Sequence, residues 1–315
     1  VNATTDIQKQ ILGEITLRGN ITVAALAKQL KIRPHVVRYN LHRLLKSGSL
    51  RRTVYIDQRK LGYNICSILF NLKPEHQAAA VRLLLNRRCV SWLERNNGVR
   101  EFEMSLVIKS PADVIELTTE LANKTGATLL DPLIGYEEDI YEWGFRVFMA
   151  QPNLVNPLVF SKSGRFEADD LDTRIIRAYR EFDDSDANSL ARQVRTTRST
   201  LMYRLARLRN AGVISDDLYL VMDSFNPTPK GCVFLQIDAQ SKSLHERFLA
   251  FCQAKRQVSS LLVCTGNWDY RLIVYGRDMR DIFEFEDSLK MAFQSEIRSY
   301  HLALRRQLLK ICAGL

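Results

Sequence analysis

A chain of 315 residues, 46% hydrophobic and 25% charged, is long enough for two or more domains and has the balance of an ordinary globular protein. Its 45 Lys and Arg against 35 Asp and Glu leave a net charge of +10, which favours a polyanionic partner such as nucleic acid. No apolar run has the length of a membrane span, and no charged region followed by an apolar core opens the chain, so a cytoplasmic protein without membrane contact is expected.

The periodicity predicts a first helix over residues 6–17, with Ile7, Ile11, Leu12 and Ile15 facing a core. Thr22 is placed to cap a short second helix, whose Leu26, Ala27 and Leu30 share one face. Lys31, Ile32 and Arg33 form a turn, and Pro34 suits the first position of a third helix. Val37, Leu41 and Leu44 are its buried stripe, and Gly48 suits a left-handed stop. Arg51 to Ile56 reads as a wing strand.

From residue 62 the pattern changes. Strands are predicted over 65–72, 90–93, 102–108 and within 128–150, and helices from Pro74 to about Leu85 and from Pro111 to Lys124. The order strand, helix, strand, strand, helix, strand is that of a ferredoxin-like sandwich. Residues 151–170 read as a linker with one apolar patch, Leu154 to Phe160, that packs on a domain. The whole programme then repeats: a helix over 171–179, helix-turn-helix over 190–214, strands over 231–237, 261–264, 272–275 and 297–309, and helices over 244–252 and 279–293. The division is therefore 1–61, 62–150, linker 151–170, 171–228 and 229–315, an α+β chain built as a tandem repeat.

The repeat is visible residue by residue. Leu26 to Leu50 aligns without a gap on Leu190 to Ile214, 164 positions later, with eight identities and no acid in either copy. Thr197 stands at the second cap, and Leu201, Leu205 and Leu208 repeat the stripe. In the first copy His35, Arg38, Tyr39, His42 and Lys46 fall on another face, which suits a helix lying in a DNA major groove. Arg33, Arg51 and Arg52 extend the basic surface, and no acid stands between Glu14 and Asp57. In the second copy the candidate DNA-contacting residues are Arg198, Ser199, Tyr203, Arg204 and Arg207. The two fields differ: residues 1–61 hold twelve bases against three acids, and residues 171–226 nine against eight, with Asp183, Asp184, Asp186, Asp216 and Asp217 flanking the second copy. A winged module used only for protein contacts is the bland alternative.

These residues, with Gly266-Asn267-Trp268-Asp269-Tyr270, carry a resemblance to the Lrp/AsnC (feast/famine) transcriptional regulators, fused in tandem. The resemblance implies winged helix-turn-helix modules that bind double-stranded DNA, ferredoxin-like RAM domains that self-associate, and an amino-acid-type effector at the glycine turn formed by Gly266, Asn267, Trp268, Asp269 and Tyr270. On that reading Asp269 meets an ammonium or amide and Trp268 walls the site; the alternative is that Trp268 only packs and Asp269 only caps the turn. Two departures stand out. The first-half turn, Gly98-Val99-Arg100-Glu101-Phe102, lacks the central aromatic, and Asn40 stands where the second copy keeps Arg204.

Six cysteines lie mostly among apolar residues, without a Cys-x-x-Cys pair, which points to buried thiols rather than a metal or a disulfide. No His, Asp and Glu cluster has metal spacing, and no nucleophile motif or glycine-rich phosphate loop appears. No cofactor, no metal and no enzymatic activity are therefore expected. The runner-up is a siroheme decarboxylase-like enzyme on the same architecture. That resemblance implies a His in the second RAM strand, where this chain has Val90-Ser91-Trp92-Leu93 and Val258-Ser259-Ser260-Leu261.

Overall fold

The computed structural model describes residues 6–16, 21–149, 156–161, 164–181, 187–221 and 228–311. Leu17, Leu154, Asp183, Asp184, Asp186 and Cys312, and the side chains of Asp216 and Asp217, lie outside the described residues. The chain divides into two units, one from residues 6–62 and 164–221, the other from 63–161 and 228–311.

In the first unit α1 (Asp6–Ile15), α2 (Val23–Leu30) and α3 (Pro34–Lys46) pack around Ile11, Leu12, Ile15, Leu26, Val37 and Leu44. The local signals act as the sequence suggests. The Thr22 side chain accepts from the Ala25 N–H at 3.2 Å, Lys31 turns through a left-handed φ of 56°, and Pro34 opens α3. Gly48 ends it with φ 69°, a conformation that costs other residues a Cβ clash. The second set, α6 (Asp170–Glu181), α7 (Ala187–Gln193) and α8 (Arg198–Asn210), encloses Ile175, Leu190, Leu201, Leu205 and Leu208. The wing strand β1 (Leu50–Ile56) does not stand alone. It pairs antiparallel with β7 (Ile214–Val221), with Thr53 opposite Leu218, so the two helical sets share one ribbon.

The second unit holds the remaining strands. Its first segment contributes β2 (Asn64–Asn71), α4 (Pro74–Leu85), β3 (Val90–Asn97), β4 (Phe102–Ile108), α5 (Pro111–Thr125), β5 (Leu130–Glu142) and the short β6 (Leu158–Ser161). Its second segment contributes β8 (Lys230–Ile237), α9 (Lys242–Ala254), β9 (Val258–Gly266), β10 (Tyr270–Tyr275), α10 (Met279–Phe293) and β11 (Ile297–Ile311). Each segment has the expected element order. The expectation of two ferredoxin-like sandwiches is nevertheless corrected, because the sheets do not end at free edges. The strands run β2-β4-β3-β11-β8-β10-β9-β5, and β5 returns to β2, closing one eight-stranded barrel.

Closure follows from edge chemistry. An exposed edge strand leaves a row of unpaired N–H and C=O groups. Here β3 pairs with β11 and β5 with β9, so each open sheet removes the edges of the other. The outer faces pack on helices in two apolar clusters, one led by Phe248, Phe285 and Leu272 and one by Phe70, Phe102 and Leu121. Phe160, from the apolar stretch of the expected linker, lies in β6 opposite Ile140 of β5. The expected strand over 128–150 stops at Glu142, and Arg146–Phe148 is a 3-10 turn instead.

Candidate nucleic-acid interface and barrel interior

On α3 the buried stripe and the exposed face separate as helical spacing demands. Val37 and Leu44 are buried and Leu41 half-buried, while Arg33, His35, Arg38, Tyr39, His42 and Lys46 are exposed. Arg33, Arg38, Lys46 and Arg51 have no carboxylate partner among the described residues. Tyr39 is 61% exposed, and the Arg43 guanidinium lies 5.7 Å from its ring centre. An exposed Tyr braced by an Arg, flanked by uncompensated cations and two imidazoles, offers donors and a flat apolar surface to a polyanion. Arg51 is exposed and Arg52 half-buried on β1. Asn40, the departure noted above, is buried and donates to the Val36 carbonyl at 2.9 Å.

The equivalent face of α8 is arranged differently. Arg198 and Ser199 are exposed, and Tyr203 is 68% exposed. Arg204, however, reaches Asp169 at 2.5 Å and the fully buried Asp172 at 3.1 Å. Arg207 meets Asp172 at 3.2 Å and stacks on Phe166. Ser199 shares its hydroxyl with Thr197. The residue 164 positions before Asp172 is Gln8, also buried. The pair Arg204 and Asp172 in one set is thus Asn40 and Gln8 in the other. This exchange removes an internal ion pair from α3 and leaves its exposed cations as the surface charge.

The glycine turn in the barrel unit is closed by its own residues. Gly266 has φ 124°, and a Cβ there would run into the Ile134 carbonyl. Asn267 zips onto β5, donating its N–H to Ile134 at 2.8 Å and accepting from it at 2.7 Å. Trp268 is 2% exposed, edge-on to Phe234. Asp269 accepts from the Ile237 N–H at 2.8 Å and the Gln240 side chain at 2.7 Å, and Tyr270 is buried against Phe248. The indole lies directly over Gly135, where any Cβ would overlap the ring. Gly135→Ala should therefore cost about 1–3 kcal/mol by overpacking, read by urea unfolding. Adding Trp268→Leu should recover part of the loss; equal stability of Gly135→Ala and wild type would contradict this packing.

Sequence reading missed the charges inside the barrel. Lys230 of β8 donates to both Glu94 oxygens at 2.8 and 3.0 Å. Arg271 of β10 donates to Glu103, to Glu137 at 3.1 Å and to Ser67 at 3.0 Å. Ser67 in turn donates to Glu137 at 2.7 Å. All five charged groups are buried. Burial pushes the Glu94 carboxyl up, but the charge and hydrogen bonds of Lys230 outweigh it and hold Glu94 below the ordinary range. At Glu103 burial wins over Arg271, and its carboxyl is raised. Glu94, Glu103 and Cys232 bring potential ligand atoms within 4.8 Å of one another. Lys230 already occupies the cationic place beside Glu94, and burial pushes the Cys232 thiol up to about 12, so it stays protonated.

His301 of β11 lies between Phe234 and Gly98. Burial, with the Arg100 charge, lowers its pKa from the ordinary value of 6.5. Below that value the unfolded chain binds a proton that the folded chain refuses, so stability falls as pH falls through this window. His301→Gln should flatten stability between about pH 7 and pH 5. An unchanged slope in chemical denaturation at several pH values would contradict the assignment.

No protein-family model matches the chain. An uncharacterized HTH-type transcriptional regulator, y4tD of Sinorhizobium fredii (strain NBRC 101917 / NGR234), is 28% identical over 120 residues, covering 38% of this chain and 71% of that protein. Among solved structures, the siroheme decarboxylase NirDL in complex with an iron-uroporphyrin III analogue aligns with 98% of this chain and 93% of its own. The TM-score is 0.61 and the identity 14%. An AsnC family transcriptional regulator from Agrobacterium tumefaciens aligns with 47% of this chain and 96% of its own, at TM-score 0.41 and 22% identity. The likeness to NirDL corrects the expectation that the chain is not an enzyme: the fold that matches nearly its whole length is carried by one.

Proposed function

We propose that the chain is a sequence-specific DNA-binding transcriptional regulator of the Lrp/AsnC type, two copies fused in tandem. The observation that carries the reading is the α3 face, with Arg33, His35, Arg38, Tyr39, His42 and Lys46 all exposed and its four cations Arg33, Arg38, Lys46 and, on the wing, Arg51 lacking carboxylate partners among the described residues. Cations held apart from acids on an exposed helix face release counterions when they meet phosphates, and this drives salt-dependent association. The helix-turn-helix spacing, and the partial likeness to an HTH-type regulator, support the same reading. The Gly266 to Tyr270 turn remains the place for an amino-acid-type effector, with the buried Trp268 and the engaged Asp269 as groups that such a ligand would have to displace. Self-association through the barrel unit belongs to the same reading.

A second reading, decarboxylation of a tetrapyrrole, is favoured by the near-full-length likeness to NirDL. Two titrations separate the readings. Fluorescence anisotropy with labelled duplexes at several salt concentrations should give binding with a steep negative salt slope. Siroheme added anaerobically should leave its absorption spectrum unshifted. A spectral shift followed by carbon dioxide release, without duplex binding, would move the conclusion to the enzyme.

A further inference from the structure

Inside the barrel, the signs of the charges that Lys230 and Arg271 bring together follow the segments that supply them. Glu94, Glu103 and Glu137 all come from the first segment of the barrel unit, and Lys230 and Arg271 from the second. Strand register shows that these are not scattered positions. Glu103 follows the aromatic that opens β4 and stands opposite Leu69 of β2. Arg271 follows the aromatic that opens β10 and stands opposite Phe234 of β8. Glu137 stands opposite Ile65 of β2. The residue in the same place on β11 is Arg305, next after Leu304, which stands opposite Gly231 of β8. At two equivalent positions the first segment therefore carries an acid where the second carries a base.

We infer that the barrel is keyed by charge: the face built by residues 64–142 accepts the face built by residues 230–311 of the same chain and excludes a like face from a second copy. Two first-segment faces would bury two sets of three carboxylates with no cation. Two second-segment faces would bury Lys230 and Arg271 twice with no acid. Leaving such a charge unpaired inside a protein is strongly destabilising, whereas the matched pairs satisfy one another. The buried ions thus act as a specificity device. They hold a chain with two similar sheets to one pairing and keep two chains from exchanging them. This inference stands whether or not the chain binds DNA.

The test uses full-length protein and four variants: Arg271→Glu, Glu103→Arg, the two together, and Arg271→Met. Arg271→Glu places an acid against Glu103 and Glu137, reproducing the like-with-like arrangement at that position. Each reversal should melt about 10 °C or more below wild type, and further below it than Arg271→Met. The double exchange restores an opposite pair and should recover more than half of the loss, a coupling that independent sites do not show. Reversals no worse than Arg271→Met, or a double variant no more stable than the worse single, would overturn the proposal.

Discussion

Arg38→Ala and His42→Ala should each lower affinity for a preferred duplex by about 1–3 kcal/mol, the amount lost with a base-contacting side chain. Their thermal stability should not change, because both side chains are exposed on α3. Arg51→Ala should act differently. A phosphate-contacting residue weakens all sequences alike and flattens the salt slope, so the ratio of preferred to random duplex stays constant. The second helix gives an internal control. Arg204→Ala removes a partner of the fully buried Asp172 and should lower the melting temperature, with any loss of DNA binding following the loss of fold. Anisotropy and thermal melting on the four proteins separate these outcomes. Unchanged binding in Arg38→Ala, His42→Ala and Arg51→Ala would remove α3 and its wing from the interface.

Arg146→Leu should be among the most destabilising single replacements in the barrel unit. Its guanidinium is fully buried and donates to the carbonyls of Cys252, Gln253, Lys255 and Val258 at 2.7–3.3 Å. These carbonyls run from the last turn of α9 to the start of β9, where the helix has few N–H groups of its own to offer them; Cys252 and Lys255 each also accept one backbone N–H, from Lys255 and Val258. The Arg146 guanidinium carbon lies 4.9 Å from the centre of the Trp143 ring, whose N–H donates to the Gln253 side chain. Burial pushes the Arg146 pKa down to about 10, and the group still carries its charge at neutral pH. Hydrogen bonds from a charged donor are worth about 1.5–3 kcal/mol each, and the carbonyls left behind carry a further desolvation cost. A loss of at least 3–5 kcal/mol is expected, against about 1–3 kcal/mol for the overpacking at Gly135. Arg146→Lys should recover little, since a compact ammonium cannot reach four carbonyls as the guanidinium fork does. Urea unfolding measures both; a loss below about 1 kcal/mol for Arg146→Leu would mean that the fan of bonds is dispensable.

The helical sets were legible because their signals are local. Thr22, Pro34 and Gly48 act within one turn of their own positions, and Val37 and Leu44 follow a period that one segment displays by itself. The barrel was not legible for the opposite reason. Its closure depends on pairings between residues far apart in sequence, and β3 reads as a strand only to Leu93. Its continuation, Glu94, Arg95 and Asn96, is polar and resembles a turn. That polarity was the available clue. A Glu at 103 inside a mostly apolar strand, and an Arg at 271 in the matching place, mark a face that turns inward onto partners of opposite sign. Lys230 and Glu94 are 136 residues apart, beyond any window of periodicity. Arg146 was hidden likewise, in a stretch whose composition resembles more strand. The engagement of Arg204 by Asp172 shows the limit at the candidate interface: sequence places an Arg on the helix, but only tertiary structure shows whether its charge is spent.

In the proposed function, α3 and α8 would offer DNA different side chains, with His35, Arg38, Tyr39 and His42 on one and Ser199, Met202, Tyr203 and Ala206 on the other. Selection of full-length protein from a random duplex pool at physiological salt tests this most directly. The expected result is an enriched, asymmetric motif, one part sharply specified and the other loosely, because unlike side chains cannot make the same hydrogen bonds to base edges. A pool that yields no enriched motif, with binding that disappears at moderate salt, would contradict the account.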